Sequence, residues 1–285
     1  MTSLRPPTED DAPEVARLMN EHWPEPVDPA EIASEWTSPK IDVERDARIG
    51  NGVFVQVEDI GEERCWIEVQ GRPESEALDW AEARLRERGG RRAFTGGWST
   101  NERLFATLET RGYRRARSSW RMEVRLDATR PEPWSPEGIE MRALGAGEER
   151  AAYEVHQESF EDTWEPIRWS YEEWRHAYVE PSHFERALWF LAWDGPDVCG
   201  VVICRRHATD PDLGWIAVLA VRRGWRRRGI GHALLAHAFD AFAERGLTRA
   251  GLGVDAESPT GANSLYEDVG MSATRRFDIY ERAFA

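Results

Sequence analysis

The residues whose types and spacing could do chemistry lie in a loop that follows an apolar strand. The stretch Trp215–Val221 is followed by an Arg-x-x-Gly-x-Gly sequence formed by Arg226, Gly229 and Gly231, and an amphipathic helix is predicted from Ile230 onward. Amides at a helix N-terminus are unpaired and carry partial positive charge, and glycines let a backbone approach a ligand closely. The arrangement predicts a site for a phosphate or diphosphate.

A Gly-x-Gly sequence alone is also compatible with an ordinary strand-to-helix turn with solvated arginines. A dinucleotide-binding turn needs a third glycine and an early position in its domain, and Gly229 and Gly231 meet neither condition. The arginines around the loop add positive charge to a chain whose formal net charge is −15, which favours the anion site. They are Arg222, Arg223, Arg226, Arg227 and Arg228.

Strands and helices alternate around this loop. Such alternation predicts a mixed α/β sheet with helices on its faces. Gly246 follows the long helix as a C-terminal glycine. The predicted elements are strands 187–193, 198–206, 214–221, 249–255 and 273–282, and helices 230–245 and 260–269.

The chain divides into two similar halves. Residues 127–138 contain three prolines and no apolar period, which is typical of a linker. Each half ends with a helix, a glycine (Gly112 or Gly270) and an aromatic-rich strand, so a tandem repeat of one domain is the simplest explanation. The predicted division is a first domain at 1–127, a linker at 128–137 and a second domain at 138–285.

Composition narrows the class of protein. The 285 residues are 41% hydrophobic and 31% charged, which is typical of a globular chain. The acidic balance argues against non-specific nucleic-acid binding and mildly favours a cationic acceptor. Neither a membrane-length apolar run nor a signal-peptide pattern is seen, so a cytoplasmic location and no membrane partner are expected. Cys65, Cys199 and Cys204 show no CxxC spacing, and no metal site is indicated.

The motifs resemble those of a known family. Val218-Leu-Ala-Val, the Arg-x-x-Gly-x-Gly loop and Ala233-Leu-Leu are together similar to the acetyl-CoA motif of the GNAT superfamily of N-acetyltransferases. Leu265-Tyr-Glu-Asp-Val-Gly-Met271 resembles the Leu-Tyr-Glu-x-x-Gly-Phe sequence of that family. The resemblance covers residues 139–285 well and the first half by architecture only. It implies two tandem GNAT-like domains with acetyl-CoA bound by the second.

The same resemblance implies roles for individual residues. Tyr266 matches the family tyrosine that protonates the departing thiolate, and a phenol is a suitable acid for a CoA thiolate. The β-strand backbone at Leu219, Ala220 and Val221 is expected to pair with the pantetheine arm. The diphosphate is expected to be held by the amides of Arg226, Arg227, Arg228, Gly229, Ile230, Gly231 and His232.

The general base departs from the family pattern. Many relatives use a glutamate on the strand before the loop, but the positions expected on one face here carry no carboxylate. Asp255 at the end of the next strand is one alternative, and Glu161 in the acidic segment after the first helix of the domain is another. The row expected on one face is Leu213, Trp215, Ala217 and Leu219. Further carboxylates in the acidic segment are Glu158, Asp162 and Glu165.

Aromatic residues accompany that acidic segment. Such a mixture would suit a cationic amine, by charge and by cation–π contact, and would equally serve as a hydrophobic seam between domains. The residue types do not identify the acceptor. The residues are Trp164, Trp169, Tyr171 and Trp174.

The first half lacks the features that define the loop. Between Val69 and Ala77 the Gly-x-Gly is missing, and Pro73, Glu74 and Glu76 stand where amides and positive charge are needed. The position equivalent to Tyr266 is Leu108, which has no proton to donate. The first half is therefore predicted to be a degenerate GNAT-like domain.

The predicted function is transfer of an acetyl group from acetyl-CoA to an amine of a small molecule, without a metal. The amine would attack the thioester directly, with an N–H near Leu219 stabilising the oxyanion. One alternative is an acyl-CoA-binding sensor without turnover. Another is a tandem GNAT-like aminoacyl transferase, which would favour a basic tRNA-binding face and a lost CoA loop. The acceptor and the oligomeric state are left open.

Overall fold

A computed structural model describes residues 4–23, 26–37, 41–72, 75–127, 130–161, 169–181, 184–258 and 261–284. The chain forms two compact units. The first unit consists of Met1–Ser119 together with Arg275–Ala285, and the second unit is Trp120–Thr274.

The compact units do not follow the ranges 1–127 and 138–285 expected from the sequence. Two long strands, β5 (Arg114–Arg125) and β11 (Ser272–Ala283), each contribute residues to both units. From Phe277 to Ala283, β11 pairs antiparallel with a strand of the first unit. The end of each half is thus shared between the units, so a boundary at the proline-rich linker does not separate them. The assignment of a functional role to each half remains a prediction.

The first unit is a mixed sheet with helices, in the strand order β1-β2-β3-β4-β11. Its pairs are antiparallel except for β3 and β4, which are parallel. Its elements are α1 (Ala12–Met19), α2 (Pro29–Glu35), α3 (Val43–Asp46), β1 (Ala47–Gly50), β2 (Val53–Gly61), β3 (Arg64–Gly71), α4 (Ser75–Glu87), β4 (Arg92–Trp98) and α5 (Glu102–Thr110).

The second unit has the strand order β6-β7-β8-β9-β10-β5. Strands β9 and β10 are parallel, and the pairs β6–β7, β7–β8 and β8–β9 are antiparallel. The mixed α/β class predicted from the sequence is confirmed. The elements are β6 (Glu140–Ala143), α6 (Glu149–Phe160), α7 (Tyr171–Tyr178), β7 (Phe190–Asp194), β8 (Asp197–Arg206), β9 (Leu213–Val221), α8 (Ile230–Glu244), β10 (Arg249–Asp255) and α9 (Ala262–Asp268).

Helix α8 follows the predicted loop and ends at a glycine. Gly246 has a φ of 75°, and the amides of Gly246 and Leu247 donate to Ala243 and Phe242, which is the Schellman arrangement of a helix C-terminus. Close packing holds the helix on the sheet, since a methyl group at Gly214 would lie 2.5 Å from the Phe242 ring. The predicted glycine stop is therefore confirmed.

The start of one predicted strand is wrong. Residues 186–188 form a single 3₁₀ turn, and β7 begins only at Phe190. The apolar run is buried in both segments, with Leu188 and Leu191 fully enclosed. Hydrophobicity alone does not distinguish a buried turn from a buried strand.

Candidate functional site

Strands β9 and β10 separate toward their carboxyl ends. Their parallel pairing begins at Leu213 with Arg249 and, in the described chain, ends at Ile216 with Leu252. Residues 218–221 of β9 remain paired with β8 on the other side. The separation creates a wedge-shaped opening at which backbone groups of β9 are available to a ligand.

A β-bulge lies at the start of this opening. Val218 pairs with Ile203 and Ile216 pairs with Cys204, so Ala217 is an extra residue on β9. A bulge leaves one residue unpaired and re-aims the side chains beyond it, and bulges are common next to active sites. Local disruption of the ladder therefore coincides with the point where β9 and β10 part.

The bulge overturns one expectation about strand faces. Trp215 pairs with Arg205 and Leu219 pairs with Val202, and these partners point to opposite faces of β8 because they are an odd number of residues apart. The conclusion about the base is unaffected, since Leu213–Val221 contains no carboxylate. The row wrongly expected on one face is Leu213, Trp215, Ala217 and Leu219.

The loop between β9 and α8 presents free amides. Arg227 and Gly229 have left-handed backbone, with φ of 65° and 78°, a feature of anion-binding backbone nests. No side chain caps α8 at Gly229, and the amide of Ala233 is bonded to the Gly229 oxygen at 3.1 Å. Within the described ranges, the amides of residues 227–232 donate to no backbone carbonyl. These amides lie at the positive end of a helix of 15 residues, so they suit an anion.

Two of the loop arginines act on the protein itself. The Arg226 guanidinium donates to the carbonyl oxygens of Val221 at 3.0 Å and Ser159 at 3.2 Å. Arg222 donates to the Val198 carbonyl at 2.8 Å and forms an ion pair of 2.8 Å with Glu158. These side chains fix the loop against β9, β8 and α6. The sequence analysis treated the arginines only as a source of positive charge and did not predict this role.

The loop glycines also have a packing role that the sequence argument missed. A methyl group at Gly231 would lie 3.0 Å from Cδ2 of Leu265, and one at Gly229 would lie 2.9 Å from the ring of Trp134. Gly231 thus lets α9 lie against the first turn of α8, and Gly229 accommodates the tryptophan. Both glycines leave their amides free, as expected.

Tyr266 lies on α9 and is almost buried, with 8% of its surface exposed. Burial raises the pKa of its phenol to about 12, because the phenolate would lose water. Its neighbour Leu265 contacts Gly231, so the structure places the helix of Tyr266 beside the first turn of α8 and the loop 222–229, the predicted phosphate loop. The phenol is therefore protonated at neutral pH and available as an acid.

Asn263, one turn before Tyr266, was missed by the sequence reasoning. Its Nδ2 donates to the carbonyl oxygens of Asp255 at 3.3 Å and Ala256 at 3.0 Å. Its Oδ1 is buried and has no hydrogen-bond partner in the part of the chain that is described. A buried acceptor without a donor is costly, so this amide oxygen is suited to an N–H group of a ligand. Its position in the first turn of the helix that carries Tyr266 was the available signal.

The candidate bases lie in different settings. Asp255 ends β10 at the wedge, and its Oδ1 accepts the amide of Glu257 at 2.9 Å. Glu161 is exposed at the C-terminal end of α6, two residues beyond the Ser159 carbonyl that Arg226 holds. Glu158 is occupied by Arg222. Asp162, Trp164 and Glu165 lie outside the described residues.

A buried histidine lies within an aromatic cluster under α6 and α7. His156 is 7% exposed, and its Nδ1 accepts a hydrogen bond of 2.9 Å from Nε1 of Trp174. Burial lowers the pKa of this imidazole to about 4, since the cation would lose its hydration. A neutral ring whose Nδ1 accepts must carry its proton on Nε2, so His156 is a donor and a poor base. The surrounding rings are Phe160, Trp169 and Tyr178.

Two further properties concern the described residues as a set. None of their helices is long and apolar enough to cross a membrane. Among the same residues, no group of three or more His, Cys, Asp or Glu is arranged to hold a metal ion. The free thiols of Cys65, Cys199 and Cys204 are buried.

Comparison with known proteins identifies the class. Residues 150–271 match the family model described as acetyltransferase (GNAT) family. This segment contains the wedge, the bulge, the phosphate loop and Tyr266. The second unit therefore contains a segment that matches the GNAT family.

Within that class, the chain is similar to proteins named mycothiol acetyltransferase. It is 34% identical over 177 residues to the one from Salinispora arenicola (strain CNS-205), covering 60% of this chain and 57% of that relative. It is 32% identical over 189 residues to the one from Streptomyces scabiei (strain 87.22), covering 66% and 59%. The matched segments thus span less than two thirds of those relatives.

Solved structures extend the similarity over the whole chain. A GCN5-related N-acetyltransferase from Sphaerobacter thermophilus has a TM-score of 0.81 at 27% identity, covering 99% of this chain and 95% of that one. A tandem GNAT protein from the clavulanic acid biosynthesis pathway has a TM-score of 0.70 at 10% identity, covering 99% and 98%. The second likeness shows that the fold is of the tandem type.

Proposed function

We propose that the chain transfers an acetyl group from acetyl-CoA to the amine of a small molecule, and that the second unit carries out the reaction. The observation that carries the proposal is the run of free amides from residue 227 to residue 232, directly beyond the wedge between β9 and β10. A diphosphate satisfies such amides and the positive end of α8.

The pantetheine arm of the donor would lie in the wedge. There the backbone of Leu219, Ala220 and Val221 would pair with its amides as an added strand would. The Oδ1 of Asn263, which has no hydrogen-bond partner among the described residues, would accept one further N–H of the arm. This placement directs the thioester toward the bulge at Ala217.

The chemical step is direct attack of a neutral amine on the thioester carbonyl. The new C–N bond forms, the oxyanion is stabilised by an N–H near Leu219, and the C–S bond then breaks. The thiolate of CoA takes its proton from the Tyr266 hydroxyl. Asp255, at the wedge end of β10, takes the proton of the amine in this proposal, with Glu161 as the alternative base.

The acceptor is proposed to be a small amine of cationic character, because the chain has 52 acidic and 37 basic residues. Mycothiol chemistry, for which the similar relatives are named, is the first acceptor class to assay. The fold alone does not select the acceptor, because one fold serves many substrates.

The first unit is proposed to have lost donor binding. Its parallel pair β3 and β4 also separates, since the pairing ends at Trp66 with Phe94 in the described chain. However, only residues 72–74 connect β3 to α4, whereas residues 222–229 connect β9 to α8. The sequence between β3 and α4 also lacks the Gly-x-Gly that precedes α8. Leu108, the counterpart of Tyr266, is fully buried and apolar.

A thiol-release assay with the full chain tests the proposal. We expect CoA to appear only when both acetyl-CoA and an amine from a panel of small amines are present. The full chain is required, because a 138–285 fragment would lack residues 120–125 of β5 from the second unit. Tight binding of CoA with no release over the whole panel would instead support the acyl-CoA sensor.

A further inference from the structure

The second unit contains a large cleft next to the phosphate loop. Its volume is about 800 Å³, and its walls come from the end of β5, the linker, the first turn of α8 and the turn after α9. Trp134 and His232 line the end of the cleft that adjoins the loop. The cleft is separate from the wedge, because none of residues 217–221 or 253–255 lines it.

Trp134 is unusual among the described large hydrophobic residues, because 44% of its surface is exposed. The ring lies in contact with the α-carbon side of Gly229, where a methyl group would approach it to 2.9 Å. The segment around it is attached to α8: the Trp134 carbonyl oxygen is 3.2 Å from Nε2 of His237, and Arg130 donates to Asp240 at 2.8 Å. An exposed aromatic plane is thus held at a fixed position beside the proposed diphosphate site.

The arginines that line the cleft differ in whether carboxylates already hold them. Arg130 is paired with Asp240, and Arg249 is held by Glu123 at 2.9 Å and by Asp210. Arg125, by contrast, is exposed on the cleft wall. A phosphate that entered the cleft could therefore pair with the exposed guanidinium of Arg125. The polar side chains of the cleft wall could bind a sugar.

We infer that this cleft binds the adenosine 3′-phosphate end of acetyl-CoA, with the purine stacked on Trp134 and the 3′-phosphate near Arg125. The inference rests on the proposed function, because the diphosphate held by the loop sets the starting point of the nucleotide. A nucleoside attached to a diphosphate at Gly229 begins within reach of the Trp134 ring. The linker between the two halves thereby becomes part of the donor site.

Calorimetric titrations of the full chain test this inference with two ligands. CoA carries the adenosine end, and 4′-phosphopantetheine lacks it. Stacking of one base on an aromatic ring is worth enough to change affinity by about tenfold. Trp134→Ala is therefore expected to weaken CoA binding by about tenfold and to leave phosphopantetheine binding unchanged. Trp134→Phe, which keeps an aromatic plane, is expected to recover part of the loss.

A second variant tests the phosphate. Wild-type chain is expected to bind CoA more tightly than dephospho-CoA, and Arg125→Gln is expected to remove that preference. Arg206→Gln, which removes an exposed charge on β8 that neither lines the cleft nor belongs to the loop arginines, is the matched control and should keep it.

The outcomes separate the two proposals. Equal CoA affinity in wild type and Trp134→Ala contradicts the inference alone, and so does an equal loss for CoA and phosphopantetheine, which would mean that Trp134 only supports the loop. Wild-type chain that binds neither ligand contradicts the proposed function and the inference with it.

Discussion

The Nε of Arg226 donates a 3.0 Å hydrogen bond to the carbonyl oxygen of Val221, the last residue of β9. The side chain thus joins the end of the strand to the start of the phosphate loop. The same guanidinium reaches the Ser159 carbonyl of α6. The loop is therefore fixed by an arginine whose positive charge also lies beside the proposed diphosphate.

Removing this brace should weaken donor binding. Arg226→Met loses charge-assisted hydrogen bonds, so the KM for acetyl-CoA is expected to rise by about tenfold or more. Steady-state kinetics at varied acetyl-CoA measures it. Arg223→Met is the control, since it removes the same charge from an exposed position one turn away. An equal rise in both variants would mean that charge alone matters.

Tyr266→Phe tests the proposed acid. Loss of the proton donor should lower kcat by about a hundredfold or more and leave the KM for acetyl-CoA nearly unchanged. Because burial raises the phenol pKa to about 12, the wild-type rate should show no loss from this group near pH 10, where an ordinary tyrosine ionises. A pH profile of kcat measures the second point. An unchanged kcat in the variant would exclude Tyr266 as the acid.

Asp255→Asn tests the proposed base with little structural change. The amide oxygen of asparagine can still accept the Glu257 amide, which Asp255 now accepts at 2.9 Å. If Asp255 removes the proton of the amine, kcat should fall by about a hundredfold while CoA affinity stays the same. The matched comparison is Glu161→Gln. A fall in Glu161→Gln alone would transfer the role to Glu161.

His156 should make the fold acid-sensitive. Its imidazole pKa is about 4 in the folded chain and 6.5 when unfolded, so the unfolded chain binds more protons between these values. Stability is then complete above pH 6.5 and declines as the pH falls toward 4, by up to about 3 kcal/mol. Melting temperatures across this range measure the effect. His156→Gln should flatten the dependence, and an unchanged dependence in this variant would contradict the assignment.

Because β11 contributes residues to both units, shortening the chain at its C-terminal end is expected to affect the first unit. A chain ending at Thr274 lacks the part of β11 that pairs with β4 and buries Tyr280 and Phe284. The first unit should then lose its cooperative unfolding transition. Tyr280→Phe, which removes only the 3.0 Å bond to Glu109, should cost about 1 kcal/mol. Circular dichroism on heating distinguishes the two results, and an unchanged transition in the truncated chain would contradict the account.

Local signals in the sequence were sufficient to predict several elements of the second unit. The strand predicted at 249–255 is β10 itself, and the helix predicted at 230–245 is α8 to within one residue, because an apolar period and a terminal glycine specify such elements locally. The free amides before α8 follow from the same local pattern.

Features that depend on contacts between residues far apart in the sequence could not be predicted from local patterns. The bulge at Ala217 adds a residue without disturbing the apolar run, so hydropathy does not reveal it. The sharing of β5 and β11 between the units depends on pairing between residues more than a hundred positions apart, such as Phe277 with Trp98. The buried oxygen of Asn263, without a partner in the described part of the chain, and the exposed ring of Trp134 likewise appear only once the chain is folded.

Titration calorimetry of the full chain with CoA and with pantetheine, which lacks the diphosphate, tests the central claim most directly. If the amides of residues 227–232 hold the diphosphate, CoA should bind about a hundredfold more tightly than pantetheine, because each charge-assisted hydrogen bond contributes more than 1 kcal/mol. Equal affinity for the two ligands, or no heat of binding with CoA, would contradict it.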